Sequence, residues 1–399
     1  MSDTNIKTIA IGPYHPLQEE PEFFRLHVDG EIVVKMDVEL GYNHRGIEKL
    51  SQGMHFDQVP FLVERICGIC STSHPFSYVL AVEDIGGWEI PLRAQYIRTV
   101  VAEVERLHSH LLWLGLAGHF LGYNTVWMWA WKAREPLLEL FEKLTGNRNH
   151  YGMFKVGGVR RDFEDGFCHD LARVLDNLVP VLDMFKGAVS DDPVLRSRME
   201  GVGVLSYDDC RAYGAVGPVA RASGLNIDAR RDDPIAAYPL VQWRVPVLKA
   251  GDIYAKALIR VMEMYESVSI VRQCAHKLLT VRGPVDLRVT DVPPGEGIGH
   301  YEAPRGECFH YVMSDGSNRP ARHKIRAPSY TNVATDVKAV VGETVSDAAL
   351  VLAAVDPCYC CTERMIAVDA GTGATRHSGA ELVRLCQAKT ERLRRGGRA

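Results

Sequence analysis

Two short cysteine pairs lie near opposite ends of the chain. The first is Cys67-Gly68-Ile69-Cys70, with His74 four residues on; the second is Cys358-Tyr359-Cys360-Cys361. A CxxC spacing lets two thiolates converge on one metal ion. Residues 71–357, 287 of them, separate the pairs. A site built from both must therefore join the two ends of the fold. Structural zinc is one reading, although its paired ligands usually sit within one small module. A thiolate-bound redox metal is another. A thioredoxin-like redox pair lacks its surrounding βαβ pattern. Cys360 leaves Cys358/Cys360 open as a competing pair, and His74 is either a ligand or a donor to a thiolate. Cys168, Cys210, Cys274, Cys308 and Cys386 stand singly and read as buried packing residues.

Composition narrows the class. At 399 residues, 46% hydrophobic and 24% charged, the chain is long enough for a large core. A net charge of −4 excludes a strongly basic nucleic-acid binder, so no nucleic-acid partner is expected. Ten cysteines at this length read as reduced thiols or ligands rather than a disulfide scaffold. The opening MSDTNIKTIA has no apolar signal-peptide core, which predicts a cytoplasmic location. From Leu111 to Trp131 no charged residue occurs. That length could span a bilayer. Gly115, Gly118, His119, Gly122, Asn124 and Thr125 interrupt it, and a buried helix and turn is the better reading. The tail from Met365 carries seven basic and three acidic residues, so residues 1–364 hold −8 and the tail +4.

Periodicity predicts an α+β fold with a helical-bundle core, an N-terminal hairpin or small sheet, and irregular loops. FFRLHVDGEIVVKMDVEL at 23–40 alternates around Asp29-Gly30, a strong hairpin signal. In residues 93–115, Ile97, Val100, Val101, Val104, Leu107, Leu111 and Leu114 recur at helical spacing, with Glu103 and Glu105 facing elsewhere. Similar patterns run through 132–145, 163–187 and 250–279. RGPVD at 282–286 and VPPGEGIG at 292–299 read as loops, and HYVMSDG at 310–316 as strand and turn.

ERICGIC followed by His74, together with DPCYCCTER at 356–364, resembles the two cysteine motifs of NiFe-hydrogenase large subunits. GPYHP at 12–16, GYNHRGIEKL at 41–50, ERLHSHLLWLG at 105–115, VGGVRRD at 156–162, YEAPRGE at 301–307 and KIRAPSYTN at 324–332 resemble the membrane-bound, energy-converting group. That group is itself related to the quinone-site subunit of respiratory complex I, whose members lack the four thiols.

The resemblance implies a NiFe centre in which iron carries CO and cyanide. Cys67 and Cys358 would be terminal nickel ligands, and Cys70 and Cys361 bridges to iron. Cys358 would then serve as the base in heterolytic cleavage of H2. Arg305 resembles the arginine lying over the metals, and Asp356 the carboxylate holding it. His74 resembles a donor to a bridging cysteine. Glu20, in QEEPE, resembles a proton-relay acid, with Glu19 and Glu22 as rivals. Glu48, in RGIEK, matches a carboxylate that structures the site or binds a cation such as magnesium. Where relatives end on a metal-binding His after the last motif, this chain has Arg364.

The chain has no ferredoxin-like cysteine run, so iron–sulfur clusters are expected only in partner subunits. The implied partners are an iron–sulfur small subunit, ferredoxin and ion-translocating membrane subunits, with this chain peripheral on the cytoplasmic face. A maturation endopeptidase is implied too, since the CTERM junction suggests division into a domain at 1–364 and a removable extension at 365–399. A complex I-like subunit without nickel and a zinc-stapled structural protein are the alternatives.

Overall fold

A computed structural model describes residues 6–16, 18–362, 367–369, 371–377 and 379–396. The expected junction after Arg364 lies outside the described residues.

The N-terminal sheet is antiparallel, in the order β1 (Lys7–Ile11), β2 (Phe23–Asp29), β3 (Ile32–Glu39). The predicted hairpin is present, with Gly30 at φ +62° where the chain reverses. Phe24, Leu26 and Val28 alternate inward on β2. This sheet meets the C-terminal part of the chain. The Val33 amide donates to the Glu343 carbonyl at 2.9 Å, and the Phe24 ring packs edge-on against Tyr359 at 5.8 Å.

Beyond α1 (Ile47–Ser51) and α2 (Ser73–Gly86), helix α3 (Leu92–Phe120) forms the spine. It packs against α4 (Asn124–Thr145) and α6 (Ile253–Leu278), and α6 packs against α5 (Asp165–Asp191). Every residue of α3 from Tyr96 to Gly115 is buried. Its charged residues therefore do not face water, although Glu103 and Glu105 lie off the apolar stripe. Each is paired across the core instead. Arg98 forks onto Glu83 at 2.9 and 2.6 Å. Glu103 accepts from Arg230, Tyr238 and Ser267 at 3.0, 2.6 and 2.6 Å. His110 meets Glu263 at 2.9 Å. Buried charges persist only when paired and hydrogen-bonded this way.

The charge-free stretch is a helix and turn, but only its first half is buried. Tyr123, in the turn that follows, and Met128 and Trp129 on α4 are exposed. No helix among the described residues is long and apolar enough to cross a membrane.

A second antiparallel sheet joins β4 (Gly295–Ala303), β5 (Gly306–Ser314) and β6 (Pro320–Arg326). The loop expected at 292–299 is mostly strand β4. Its glycines are not turn residues but a contact surface. A Cβ on Gly297 would sit 2.0 Å from the Ala81 carbonyl oxygen, and one on Gly299 2.1 Å from that of Ser77. Strand β4 thus lies directly on the backbone of α2. After β6 come α7 (Pro328–Ala339) and α8 (Val345–Ala354), then the second cysteine motif. In the tail, α9 (Gly379–Arg394) is exposed at its described side chains, and Cys386 is exposed rather than a packing residue.

The glycine contact gives a direct prediction. Gly297→Ala should cost about 3 kcal/mol, at the upper end for overpacking, because backbone blocks relief on the far side. A lowered thermal midpoint relative to the exposed Gly53→Ala control would register it.

Candidate metal centre

The two cysteine motifs meet in the core. The ligating atoms of Cys67, Cys358 and Cys361 all lie within 4.8 Å of one another. Cys361 Sγ is 2.9 Å from Cys358 Sγ. Cys70 joins through Cys67, whose sulfur accepts the Cys70 amide at 3.2 Å. All four residues are buried. Cys360 is half-buried and outside this group, so Cys358/Cys361 rather than Cys358/Cys360 is the converging pair.

Helix α3 positions the first motif. Glu105, Ser109 and Trp113 are spaced i, i+4, i+8 and so share one face. Glu105 accepts from the Thr72 amide at 2.5 Å and the Ser73 hydroxyl at 2.6 Å, holding the start of α2 just after Cys70. A carboxyl there meets unsatisfied amides at a helix N-terminus. Ser109 faces Arg305 at 3.4 Å, and the Trp113 indole donates to the Ala353 carbonyl at 2.8 Å, ahead of the second motif. Arg45 ties the two motifs together, donating to the carbonyls of Ile66 at 3.0 Å and Cys360 at 3.4 Å. The Cys358 amide donates to Ser329 Oγ at 3.0 Å.

Arg305 occupies the turn between β4 and β5. Its Nη1 lies 3.0 Å from Cys70 Sγ, Nη2 lies 2.7 Å from Asp356 Oδ1, and Nε donates to the Asp356 carbonyl at 2.7 Å. Both residues are buried. Asp356 has φ +58°, a left-handed conformation costly for a residue with a Cβ. Its second oxygen, Oδ2, is buried with no hydrogen-bond partner among the described residues.

The electrostatics follow from crowding four thiols. Hydrogen bonds from Cys358, Cys361 and Cys70 hold the Cys67 thiol well below the usual thiol range. Its hydrogen bonding to the other three raises them, led in Cys358 by Cys361. Burial works against the Arg305 charge, but Asp356 and then the cysteines outweigh it and hold the guanidinium charged.

The remaining expected residues sort clearly. Glu20 lies beside the cluster, with Oε1 3.9 Å from Cys358 Sγ and Oε2 accepting the Cys360 amide at 2.6 Å. Burial raises its carboxyl. Glu19 is pushed up to about 7, chiefly by burial, and lines a cavity of about 20 Å³ with Trp113, Phe120, Leu352 and Pro357. Glu22 is buried and accepts the Phe23 amide at 3.3 Å. His74 Nε2 lies 3.6 Å from Cys361 Sγ, and burial pushes its ring down to about 4. Glu48 is not among the converging metal-ligating side chains. It accepts from Lys324 at 2.8 Å and from the Ile325 amide at 3.0 Å, which ties it to β6.

Residue patterns alone missed His310, His323 and the role of Cys308. Cys308 Sγ lies 3.3 Å from His74 Nδ1, so it is not a plain packing residue. The available signal was Cys308-x-His310 on one strand, which puts both on one face of β5.

The model for the 49 Kd subunit of respiratory-chain NADH dehydrogenase matches residues 121–290 and 285–364, and that for nickel-dependent hydrogenase matches 45–117. The alpha subunit of the membrane-bound hydrogenase of Pyrococcus furiosus is 38% identical over 91% of this chain and 88% of its own length. The carbon monoxide-induced hydrogenase of Rhodospirillum rubrum is 38% identical over 90% of this chain and 99% of its own. A subunit of the NADH-quinone oxidoreductase of Geobacter sulfurreducens is 35% identical over 89% of this chain and 98% of its own. A chain of the membrane-bound sulfane sulfur reductase, an archaeal respiratory membrane complex, superposes with a TM-score of 0.86 at 33% identity, covering 91% of this chain and all of that one. The chain belongs to the family that unites the 49 Kd subunit of respiratory NADH dehydrogenase with the large subunits of membrane-bound nickel-dependent hydrogenases.

Glu64, which opens the first motif, accepts the Gly152 amide at 2.7 Å and is pushed from 4.5 to about 7, mainly by burial. Its folded pKa lies above its unfolded one, so the folded state holds the extra proton between the two. Stability from this group is present below pH 4.5 and lost as pH rises toward 7. Glu64→Gln should therefore shrink the loss of stability between about pH 5 and pH 8, read by urea unfolding at both.

Proposed function

We propose that this chain is the catalytic subunit of a NiFe hydrogenase that interconverts H2 with protons and electrons. The observation that carries the proposal is the meeting of Cys67, Cys70, Cys358 and Cys361 in one buried cluster beneath Arg305. The donor set fits the group: four soft thiols suit nickel, and a bound cation would offset the charge that crowding otherwise confines to Cys67. Cys67, Cys70, Cys358 and Cys361 would hold nickel together with an iron carrying CO and cyanide.

When bound, such a centre supplies the redox chemistry of H2 cleavage. The protein's part is to hold charge and move protons. Arg305 keeps a fixed positive field and a planar pair of donors over Cys70, while Asp356 aims it. Cys358 is the base for the proton from H2, and Glu20 Oε1, 3.9 Å from its sulfur, is the next acceptor. Burial keeps the Glu20 carboxyl able to hold a proton. Glu48 would be the carboxylate that structures the site or binds a cation such as magnesium.

Electrons would pass to an iron–sulfur small subunit and on to ferredoxin. Membrane subunits that translocate ions would anchor the chain peripherally on the cytoplasmic face. The names of the relatives, a membrane-bound hydrogenase and a respiratory membrane complex, support such an assembly. The match to a subunit of NADH-quinone oxidoreductase favours a second reading, a quinone-linked subunit without nickel.

The complex purified from its native host should contain nickel and iron and turn over H2. Neither metal would mean the quinone-linked reading, and zinc alone a structural staple. Arg305→Lys should retain both metals but lose turnover by about 10²-fold, because a point ammonium cannot replace the planar fork.

Residues 1–364 would be the mature subunit and 365–399 a maturation peptide, removed by an endopeptidase once nickel is loaded. Cys361 lies only three residues before the junction, and the charge changes sign there. Intact-mass measurement on the active, nickel-replete complex should give a chain ending at Arg364. A mass that includes 365–399 in that preparation would contradict the assignment.

A further inference from the structure

Helix α4 leaves a cation beneath the surface without an anion. Arg134 is 4% exposed, yet it makes no hydrogen bond and no ion pair among the described residues. Arg98, Arg106 and Arg305, buried to the same degree, each meet a carboxylate. The Arg134 guanidinium carbon lies over the Trp131 ring at 5.1 Å, and its Nε is wholly enclosed. A ring face offsets only part of the loss of water around a charge. Burial lowers the Arg134 pKa, but a guanidinium keeps its proton.

The neighbouring groups of this chain are taken or act only at a distance. Glu135 accepts from Arg148 at 2.7 Å. The Tyr151 hydroxyl faces His108 at 3.1 Å. Glu19 acts on Arg134 through its field and forms no bond with it among the described residues.

Arg134 does not stand alone. Tyr123 at the head of the helix, Trp127, Trp131 and Arg134 are spaced i, i+4, i+8 and i+11, and so form one stripe. The indole N–H groups of Trp127 and Trp131 are buried and meet no acceptor among the described residues. Buried indole N–H groups ordinarily find one. An indole nitrogen and a guanidinium can only donate, so the stripe is short of acceptors and of negative charge. Beside it Met128 is 64% exposed and Tyr123 44%.

We infer that this stripe of α4 is an interface, and that a carboxylate side chain of a partner subunit seats against Arg134. The planar fork of arginine matches a carboxylate, and the charge asks for one. A small free anion would have no use for the apolar rim of Tyr123 and Met128. Aromatic residues and methionine around a buried arginine are the composition of an interface centre.

The inference rests on the multisubunit assembly proposed above and on neither nickel nor H2. Absence of both metals would leave it untouched, and its failure would leave the metal reading standing. The test reads one substitution in two settings, with opposite signs expected. In the full chain by itself, Arg134→Met should raise the thermal midpoint by a few degrees, because an apolar side chain replaces an unpaired buried charge. In the complex from the native host, Arg134→Met should lose partner subunits in a high-salt wash that the wild type withstands, since a buried pair is little screened. Arg134→Lys, which keeps the charge, should hold more of them than Arg134→Met. A midpoint unchanged or lowered in the free Arg134→Met chain would mean that the chain itself already satisfies Arg134, through Glu19 for instance, and would overturn the inference. An Arg134→Met complex as salt-resistant as the wild type would overturn it too. If acetate or phosphate also raised the midpoint of the wild-type chain but not of Arg134→Met, that intact complex would mark a small-anion site instead.

Discussion

A guanidinium with no access to water holds the candidate site together. Arg305 gives its three nitrogens to Cys70, Asp356 and the backbone beneath Asp356. Burying that charge is unfavourable by itself, and only a carboxylate and polarisable sulfur in contact with it offset the cost. The dependence is mutual. Asp356 sits in a left-handed conformation directly before the second cysteine motif, and its contact with Arg305 helps hold it there. Removing Arg305 would leave a buried carboxylate and a cluster of thiols without their nearest cation. The second sheet matters because its hairpin turn delivers this one residue. The Asn332 amide accordingly fixes the Arg305 carbonyl at 3.1 Å.

Helix α3 supplies the frame against which that contact is made. One face carries Glu105, Ser109 and Trp113 toward the metal-binding segments. Another carries Glu103 and His110 into a buried network with Arg230 and Glu263. Breaking any of these pairings would strand a buried charge, so together they hold the register of α3. A slip of one residue would rotate Glu105 away from Thr72 and Glu103 away from Arg230 at once. The precise spacing of the two cysteine pairs thus depends on pairings between elements far apart in the chain.

How much of this was legible in the residues differs by the range of the interaction. The cysteine pairs announce a metal site because CxxC geometry is local, and the Asp29-Gly30 hairpin is local too. The resemblance supplied Arg305, Asp356, His74 and Glu20, and the fold brings all four to the cysteines. No periodicity could have placed Arg305, since its position depends on strand register. The pairings of the α3 charges were not legible because their partners, Arg230, Tyr238 and Glu263, lie on distant elements. Gly297 and Gly299 read as loop residues because glycine marks turns more often than tight packing of a strand on a helix. The contact of His310 with His323, at 2.9 Å, was invisible until β5 and β6 paired. The bonds of the Glu48 carboxylate to Lys324 and the Ile325 amide were likewise out of reach of the sequence, because they depend on where β6 lies.

The central claim is that the four thiols Cys67, Cys70, Cys358 and Cys361 form one nickel-binding pocket. Nickel X-ray absorption on the complex from its native host measures that most directly. The account predicts a first shell of four sulfurs with iron just beyond, lost in Cys361→Ser and unchanged in Cys360→Ser. A shell dominated by nitrogen and oxygen, or a spectrum altered by Cys360→Ser but not by Cys361→Ser, would contradict it.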